Sequence, residues 1–146
     1  MSLYSSGSEF EKTIFGECKW KKSISNYIPK RECVKKIIEK GESDEPTIKF
    51  IIKKASSRLK KPVRAYSALG SPLDWWHGID GFFICSNHII TADATLNKNK
   101  VEKKADIMIR MIDIENPYKL INAIVEIFSF KLKVARKKKN RSGNKV

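Results

Sequence analysis

Residues 79–94 read IDGFFICSNHIITADA, and this stretch decides the fold. It consists of two runs of β-branched, aromatic and small apolar residues on either side of the turn-forming pair Ser86-Asn87. A two-residue turn sets the register of a hairpin, so Phe83 on the first strand is expected opposite Ile90 on the second. The sequence therefore predicts a tight antiparallel hairpin whose side chains alternate between the two faces of a sheet.

The same register places two aspartates, Asp80 and Asp93, directly opposite each other. Opposed Cβ atoms in a sheet are about 4.5–5.5 Å apart, and two carboxylates at that distance repel unless a proton or a cation lies between them. We interpret the pair as a divalent-cation site. The alternative is that each carboxylate satisfies a nearby backbone group or lysine. Gly78 and Gly81 flank Asp80, and they either leave room for a substrate backbone or mark a bulge.

Composition and charge limit the class of protein. A chain of 146 residues with 41% hydrophobic residues can bury one core, so we expect a single domain at residues 1–135 and a disordered basic tail at residues 136–146. The net charge of +14 indicates a polyanionic partner, for which nucleic acid, and DNA rather than RNA, is the first expectation. Because the sequence shows no apolar run of about 18 residues and no signal peptide, we expect a cytoplasmic protein without a membrane partner.

The cysteines and histidines restrict the kind of metal site. The chain has 3 cysteines and 2 histidines, without the spacing of a zinc site or a disulfide framework. Any metal must then be held mainly by oxygen ligands, which favours Mg²⁺ or Mn²⁺.

Hydrophobic periodicity predicts a mixed α/β architecture around the hairpin. Helices are expected to begin near Ser8, at residues 30–40, after Pro46 and at residues 117–135, and further strands at residues 63–69 and 105–111. The stretch LGSPLDWWH at residues 69–77 is interpreted as a turn followed by an aromatic loop.

Two segments that flank the hairpin turn resemble a known nuclease motif. Residues 78–83 read GIDGFF and residues 91–95 read TADAT, and together they resemble the core motif of the PD-(D/E)XK nuclease superfamily. The resemblance implies a restriction-endonuclease-like fold, with a central mixed β-sheet flanked by helices. It also implies that Asp80 and Asp93 are catalytic and bind Mg²⁺ or Mn²⁺. It covers residues 63–110, so the N-terminal helices are additions to that fold.

The lysine of the family motif is missing from its usual place. The family has a lysine two residues after the second acid, whereas this chain has Thr95 there, which we retain as a candidate site helper. Family members tolerate migration of the lysine, so Lys98, Lys100 or Lys104 is expected to take the catalytic role.

Further polar side chains are candidates to assist the two aspartates. In some family members a glutamate of the first helix joins the site, which here is Glu11 or Glu9; a helix-capping role is the alternative for Glu11. Asp74 and His77 precede the first site strand and are candidates to assist the metal or its water.

The predicted nucleic-acid contacts are aromatic and basic side chains. Trp75 and Trp76 are expected to stack on a base or ribose, and the alternative is that they form a hydrophobic lid on the core. Basic side chains of the third helix and of the tail are expected to contact phosphates. These residues are Lys53, Lys54, Arg58, Lys60, Lys61, Lys137, Lys138 and Lys139.

These features predict a Mg²⁺-dependent endonuclease that hydrolyses phosphodiester bonds of DNA. The alternative is a non-catalytic DNA- or RNA-binding module on the same fold, which the threonine at position 95 favours. A third, weaker interpretation is a membrane-surface or protein-interaction role for the basic face. The resemblance also implies a homodimer, whereas the form of the nucleic acid is left open.

Overall fold

The computed structural model describes residues 7–18, 20, 27–97 and 104–143. These residues form six helices and four strands. In chain order they are α1 (Gly7–Phe15), α2 (Lys30–Lys40), α3 (Pro46–Leu59), β1 (Val63–Ser67), α4 (Pro72–His77), β2 (Gly81–Cys85), β3 (His88–Ala94), β4 (Ile107–Ile109), α5 (Met111–Glu115) and α6 (Pro117–Gly143).

The strands form one mixed sheet in the order β1-β2-β3-β4, in which β1, β2 and β3 are antiparallel and β4 is parallel to β3. The predicted hairpin register is confirmed, because Phe83 pairs with Ile90 and Cys85 pairs with His88. Ser86 begins the two-residue turn in the left-handed region, with φ 54°. The expectation of a mixed α/β protein with a central sheet flanked by helices is confirmed.

Helices cover both faces of the sheet. One face, with Phe83 and Ile90, belongs to a core that includes buried residues of α1, α3 and α6. The opposite face, with Tyr66 and Phe82, belongs to a second core that includes buried residues of α2 and α4. Alternation of side chains along each strand produces these two cores from one sheet.

The helices before the sheet begin where the sequence predicts. Helix α2 follows Pro29 and ends before Gly41, which has a φ of 112° that a residue with a side chain rarely adopts. Helix α3 starts at Pro46 and buries Ile48, Ile51 and Ala55, the positions that share one helical face.

The segment predicted as an aromatic loop contains helix α4. The Ser71 hydroxyl caps this helix by accepting a hydrogen bond from the Leu73 N–H, at 3.2 Å, and Pro72 occupies the first helical position. Gly78 ends the helix with φ 65°. A helix of 6 residues is too short to show hydrophobic periodicity, which is why the loop interpretation was wrong.

The C-terminal helix is longer than predicted. It was expected to end near Ala135, but α6 continues to Gly143 and includes most of the segment expected to be a disordered tail. The added residues are mainly lysine and arginine, which have high helix propensity, so a polar composition alone does not end a helix.

The strand expected at residues 105–111 is also shorter. Strand β4 covers Ile107–Ile109, and helix α5 begins at Met111. The backbone N–H of Arg110 donates a hydrogen bond to Asp113 Oδ2 at 2.8 Å, which caps α5 and ends the strand. None of the helices in the described part of the chain combines the length and the apolarity that crossing a bilayer requires.

Candidate functional site

The backbone holds Asp80 and Asp93 at the end of the hairpin opposite its turn. The ladder between β2 and β3 extends to the pair Gly81 and Ala92, so the two aspartates occupy the next positions. The Asp80 N–H donates to the Ala92 carbonyl at 2.9 Å, and the Asp80 carbonyl accepts from the Ala68 N–H at 2.8 Å. Asp80 is therefore fixed between the chain that follows β1 and strand β3.

The two carboxyl groups meet, as the register predicts. Asp80 is 3% exposed and Asp93 is 7% exposed, and their side chains share a hydrogen bond. The Ala94 N–H donates a second hydrogen bond to Asp80 Oδ2 at 2.8 Å. A hydrogen bond between two carboxyl groups requires a proton on one of them, so the repulsion expected from the sequence is relieved by a shared proton.

Burial is the main reason why Asp80 holds this proton. Burial raises the pKa of Asp80 from 3.8 to about 9, and the hydrogen bond to Asp93 acts in the same direction. The Ala94 N–H favours the charged form and opposes the shift, whereas the negative charges of Glu11 and Asp93 add to it. A divalent cation between the two carboxylates would replace the proton as the compensating charge.

A third carboxylate, on α1, contributes to the electrostatics of the pair. Glu11 on α1 is half-buried and its charge acts on Asp80, whereas Glu9 is exposed. Helix α1 approaches closely because Gly81 has no side chain: an added Cβ would lie 2.4 Å from ring atoms of Phe15. The space beside Gly81 is therefore occupied by Phe15, not left open to a substrate backbone.

Of the three candidate lysines, Lys104 alone belongs to the described residues, and Lys98 and Lys100 lie outside them. The side chain of Lys104 passes over Gly78, where an added Cβ would lie 2.9 Å from Lys104 Cδ. Gly78 is two residues before Asp80, so Lys104 crosses the segment that leads into the site.

Thr95 has a local structural role at the position of the family lysine. Its N–H donates to the Ile109 carbonyl at 2.9 Å, and its hydroxyl oxygen accepts from the Asn97 N–H at 3.1 Å. These contacts join the end of β3 to β4 and start the following turn.

The other two predicted helpers take part in different contacts. Asp74 Oδ2 accepts a hydrogen bond from the Gly70 N–H at 3.1 Å, and Asp74 lines a cleft of about 440 Å³ together with Glu11. His77 Nε2 lies 2.9 Å from the Ile28 carbonyl oxygen and so holds the segment before α2. Asp74 and Glu11 therefore line the same cleft, and His77 contacts the segment before α2 instead of the aspartate pair.

The carboxyl pair suits a cation that needs few protein ligands. Among the described residues, no group of three histidine, cysteine, aspartate or glutamate side chains is arranged to hold a metal ion. Zinc sites use three or four such ligands, whereas Mg²⁺ is commonly held by one or two carboxylates together with water and substrate phosphate. Two carboxylates are the number and the type of protein ligand that a Mg²⁺ or Mn²⁺ site of this second kind uses.

The basic side chains predicted to contact phosphates lie in α3, directly after α3 and in α6, and they are exposed wherever they are described. Lysines 53, 54, 60, 61, 137 and 138 and Arg58 are exposed, and the side chain of Lys139 lies outside the described set. The Arg58 guanidinium donates to Asn122 Oδ1 and joins α3 to α6. Both helices belong to the layer that packs on the Phe83 face of the sheet.

A second basic surface was missed in the sequence. Lys30, Arg31 and Lys35 of α2 line a groove of about 870 Å³ on the opposite face of the sheet. Tyr27 was also missed; it is 62% exposed and its ring centroid lies 5.7 Å from that of Trp76. The available signal was the run of basic residues at 30, 31, 35 and 36, but only the fold shows that a groove lies beside it.

No protein-family model, curated protein or solved structure matches this chain. No activity is therefore transferred to it from another protein. Function is inferred from the chemistry of the aspartate pair and from the distribution of charge around it.

Proposed function

We propose that this protein is a Mg²⁺- or Mn²⁺-dependent endonuclease that hydrolyses phosphodiester bonds of DNA. The observation that carries this proposal is the pair Asp80 and Asp93, two buried carboxyl groups that face each other at the end of the β2–β3 ladder. A chain with a net charge of +14 supplies the attraction for a nucleic-acid backbone.

The residues of the site have distinct roles in this proposal. Asp80 and Asp93 would hold the cation, which when bound would activate water and neutralise charge on the phosphate. Glu11 is a third carboxylate beside Asp80 and accepts a proton from water that enters the site. Lys104 contributes positive charge that stabilises the phosphate as negative charge develops on it.

The order of elements supports the restriction-endonuclease-like fold as part of the proposal. That fold has a helix, three strands, a second helix and a fourth strand, and here α3 precedes the antiparallel strands β1, β2 and β3, with the short helix α4 between β1 and β2. Strand β4 then adds to β3 in parallel. The connection between them has no helix in its described residues, 95–97 and 104–106, and α6 after β4 is an addition.

A non-catalytic DNA- or RNA-binding module is the second candidate. The observation that favours it is Thr95, whose N–H and hydroxyl are both used in backbone contacts at the position where the family has lysine. A module of this kind needs the basic surface but not a reactive metal.

Cleavage assays distinguish the two candidates. Wild-type protein is incubated with supercoiled plasmid, linear duplex and single-stranded DNA in Mg²⁺, Mn²⁺ or EDTA. We expect metal-dependent cleavage that Asp80→Asn and Asp93→Asn each reduce at least about 100-fold, by analogy with loss of a charge-stabilising group. Glu126→Gln, which removes an exposed carboxylate of α6, is the control and should cleave like wild type.

Two results count against the nuclease assignment. Cleavage that survives both asparagine substitutions places the active site elsewhere. Failure of the wild type to cleave any of these substrates favours the binding module.

A further inference from the structure

The groove beside α2 combines an apolar floor with a basic rim. Val34 and Ile38 of α2 and Ile89 of β3 contribute apolar surface to its lining, and Lys30 and Arg31 contribute positive charge, as does Lys35. Its volume of about 870 Å³ lies within the range of pockets that bury drug-sized molecules. The groove is therefore large enough to accept a nucleobase and its sugar.

The acidic residues in the lining of the groove are bound to neighbouring side chains. Glu32 Oε1 lies 3.7 Å from Lys36 Nζ. Asp106 Oδ2 accepts hydrogen bonds from the Thr91 N–H at 2.9 Å and from the Thr91 hydroxyl at 3.1 Å. Because the lining holds three basic side chains, Lys30, Arg31 and Lys35, and two carboxylates, it keeps a net positive charge that attracts an anionic ligand.

Exposed aromatic side chains lie near Pro29 of the groove lining. Tyr27 and Trp76 are in edge-to-face contact, and they are 62% and 41% exposed; the adjacent Trp75 is 69% exposed. Tyr27 lies two residues before Pro29, which is part of the groove lining. Exposed aromatic rings beside basic side chains are the arrangement on which unpaired bases stack.

The groove also includes a residue of the strand that carries Asp93. Thr91 lines the groove, and Asp93 is the next residue of β3 on the same face of the sheet. Residues two apart on a strand are roughly 7 Å apart. A chain that lies against Thr91 is therefore within about 7 Å, along β3, of the position of Asp93.

We infer that the groove and the aromatic residues Tyr27, Trp75 and Trp76 bind single-stranded nucleic acid and direct its backbone to the aspartate pair. Bases of a duplex are stacked inside the helix and cannot enter a groove of this kind, whereas unpaired bases can stack on aromatic rings while lysine and arginine contact the phosphates. The second half of this inference, delivery to Asp80 and Asp93, rests on the proposed nuclease function; the binding half does not.

The binding half is tested by fluorescence anisotropy in EDTA, so that nothing is cleaved. The probes are labelled twelve-residue oligomers d(T) and r(U) and a twelve-base-pair duplex, and the two single strands show whether the sugar matters. We expect either single strand to bind at least about 10-fold more tightly than the duplex. Trp75→Ala and Tyr27→Ala should each weaken single-strand binding by about 5- to 100-fold, as for loss of a stacked base.

Charge-reversal variants distinguish binding in the groove from binding by the overall positive charge of the protein. Lys30→Glu with Arg31→Glu changes the rim, whereas Lys53→Glu with Lys54→Glu makes the same change of charge on α3, on the other side of the sheet. All four positions are exposed, so thermal unfolding should be unchanged. The α2 pair should weaken single-strand binding at least about 10-fold more than the α3 pair.

Equal or tighter binding of the duplex, or equal effects of the α2 and α3 pairs, overturns the inference. Its failure is distinguishable from failure of the nuclease proposal. Binding of oligomers through the groove without cleavage of any substrate refutes the nuclease and supports the groove. Cleavage of duplex DNA by the aspartate pair with a KM that the groove variants leave unchanged refutes the groove and supports the nuclease.

Discussion

Replacing Asp80 by asparagine should stabilise the protein at neutral and alkaline pH when divalent cations are absent. The pKa of Asp80 is about 9 in the folded protein and 3.8 without the environment of the fold, so the folded state holds the proton more tightly than the unfolded state. The resulting stabilisation is fully present below about pH 4 and is lost as the pH rises towards 9. Between these values the unfolded chain releases its proton to the solvent, whereas the folded protein either keeps the proton or buries a charge, and both cost free energy.

The magnitude follows from the size of this pKa difference. One pH unit within the window changes the free energy of unfolding by about 1.4 kcal/mol, so the wild type should lose about 4 kcal/mol between pH 5 and pH 8 from this group. The asparagine variant does not titrate. Its amide can donate to Asp93 and accept from the Ala94 N–H, so both hydrogen bonds of Asp80 are preserved.

The assay is urea unfolding of wild type, Asp80→Asn and the control Glu126→Gln at pH 5, 6, 7 and 8 in EDTA. Both proteins contain His77 and His88, so the contributions of these histidines to the pH dependence of the free energy of unfolding cancel when the variant is compared with wild type. We expect the difference in free energy of unfolding between wild type and Asp80→Asn to change by about 4 kcal/mol from pH 5 to pH 8. The same difference for the control should stay constant. A difference for Asp80→Asn that stays constant within about 1 kcal/mol would refute the reasoning.

Three further predictions concern the same end of the sheet. Mn²⁺ at pH 8 should stabilise the wild type and release about one proton per ion bound in calorimetry, with neither effect in Asp80→Asn; equal stabilisation of the two proteins would contradict this. Glu11→Gln should lower the pKa of Asp80, because a negative charge is removed, so the loss of stability with rising pH should end at a lower pH and be smaller in total; an unchanged unfolding profile up to about pH 10 would rule out that influence. Gly81→Ala should destabilise the fold by about 1–3 kcal/mol in urea unfolding, because its Cβ meets the Phe15 ring; unchanged stability would show that α1 shifts without loss.

The hairpin and its aspartates were predictable because local sequence determines them. Ser86 and Asn87 form a two-residue turn, and a period of two then fixes every later pair up to the aspartates. Helices α2 and α3 were predictable for a similar reason, since proline begins each of them or lies just before it and their apolar residues share one face.

The remaining features depend on contacts between distant parts of the chain. The direction of β4 relative to β3 depends on how the chain returns to the sheet, which no local pattern encodes. The role of Gly81 follows from Phe15, a residue far away in sequence, and the proximity of Glu11 to Asp80 follows from that same contact. The groove beside α2 forms only when that helix packs on the sheet, so its basic side chains looked like an ordinary solvated face.

The continuous helix α6 limits how many phosphates its basic end can engage at once. From Phe128, which is fully buried, to Gly143 the helix extends roughly 22 Å at 1.5 Å per residue. Side chains on a helix point in all directions around its axis, so a single nucleic-acid backbone can contact only some of these cations. Fewer counterions should therefore be released on binding than the number of basic residues suggests, and the dependence of affinity on salt should be correspondingly shallow.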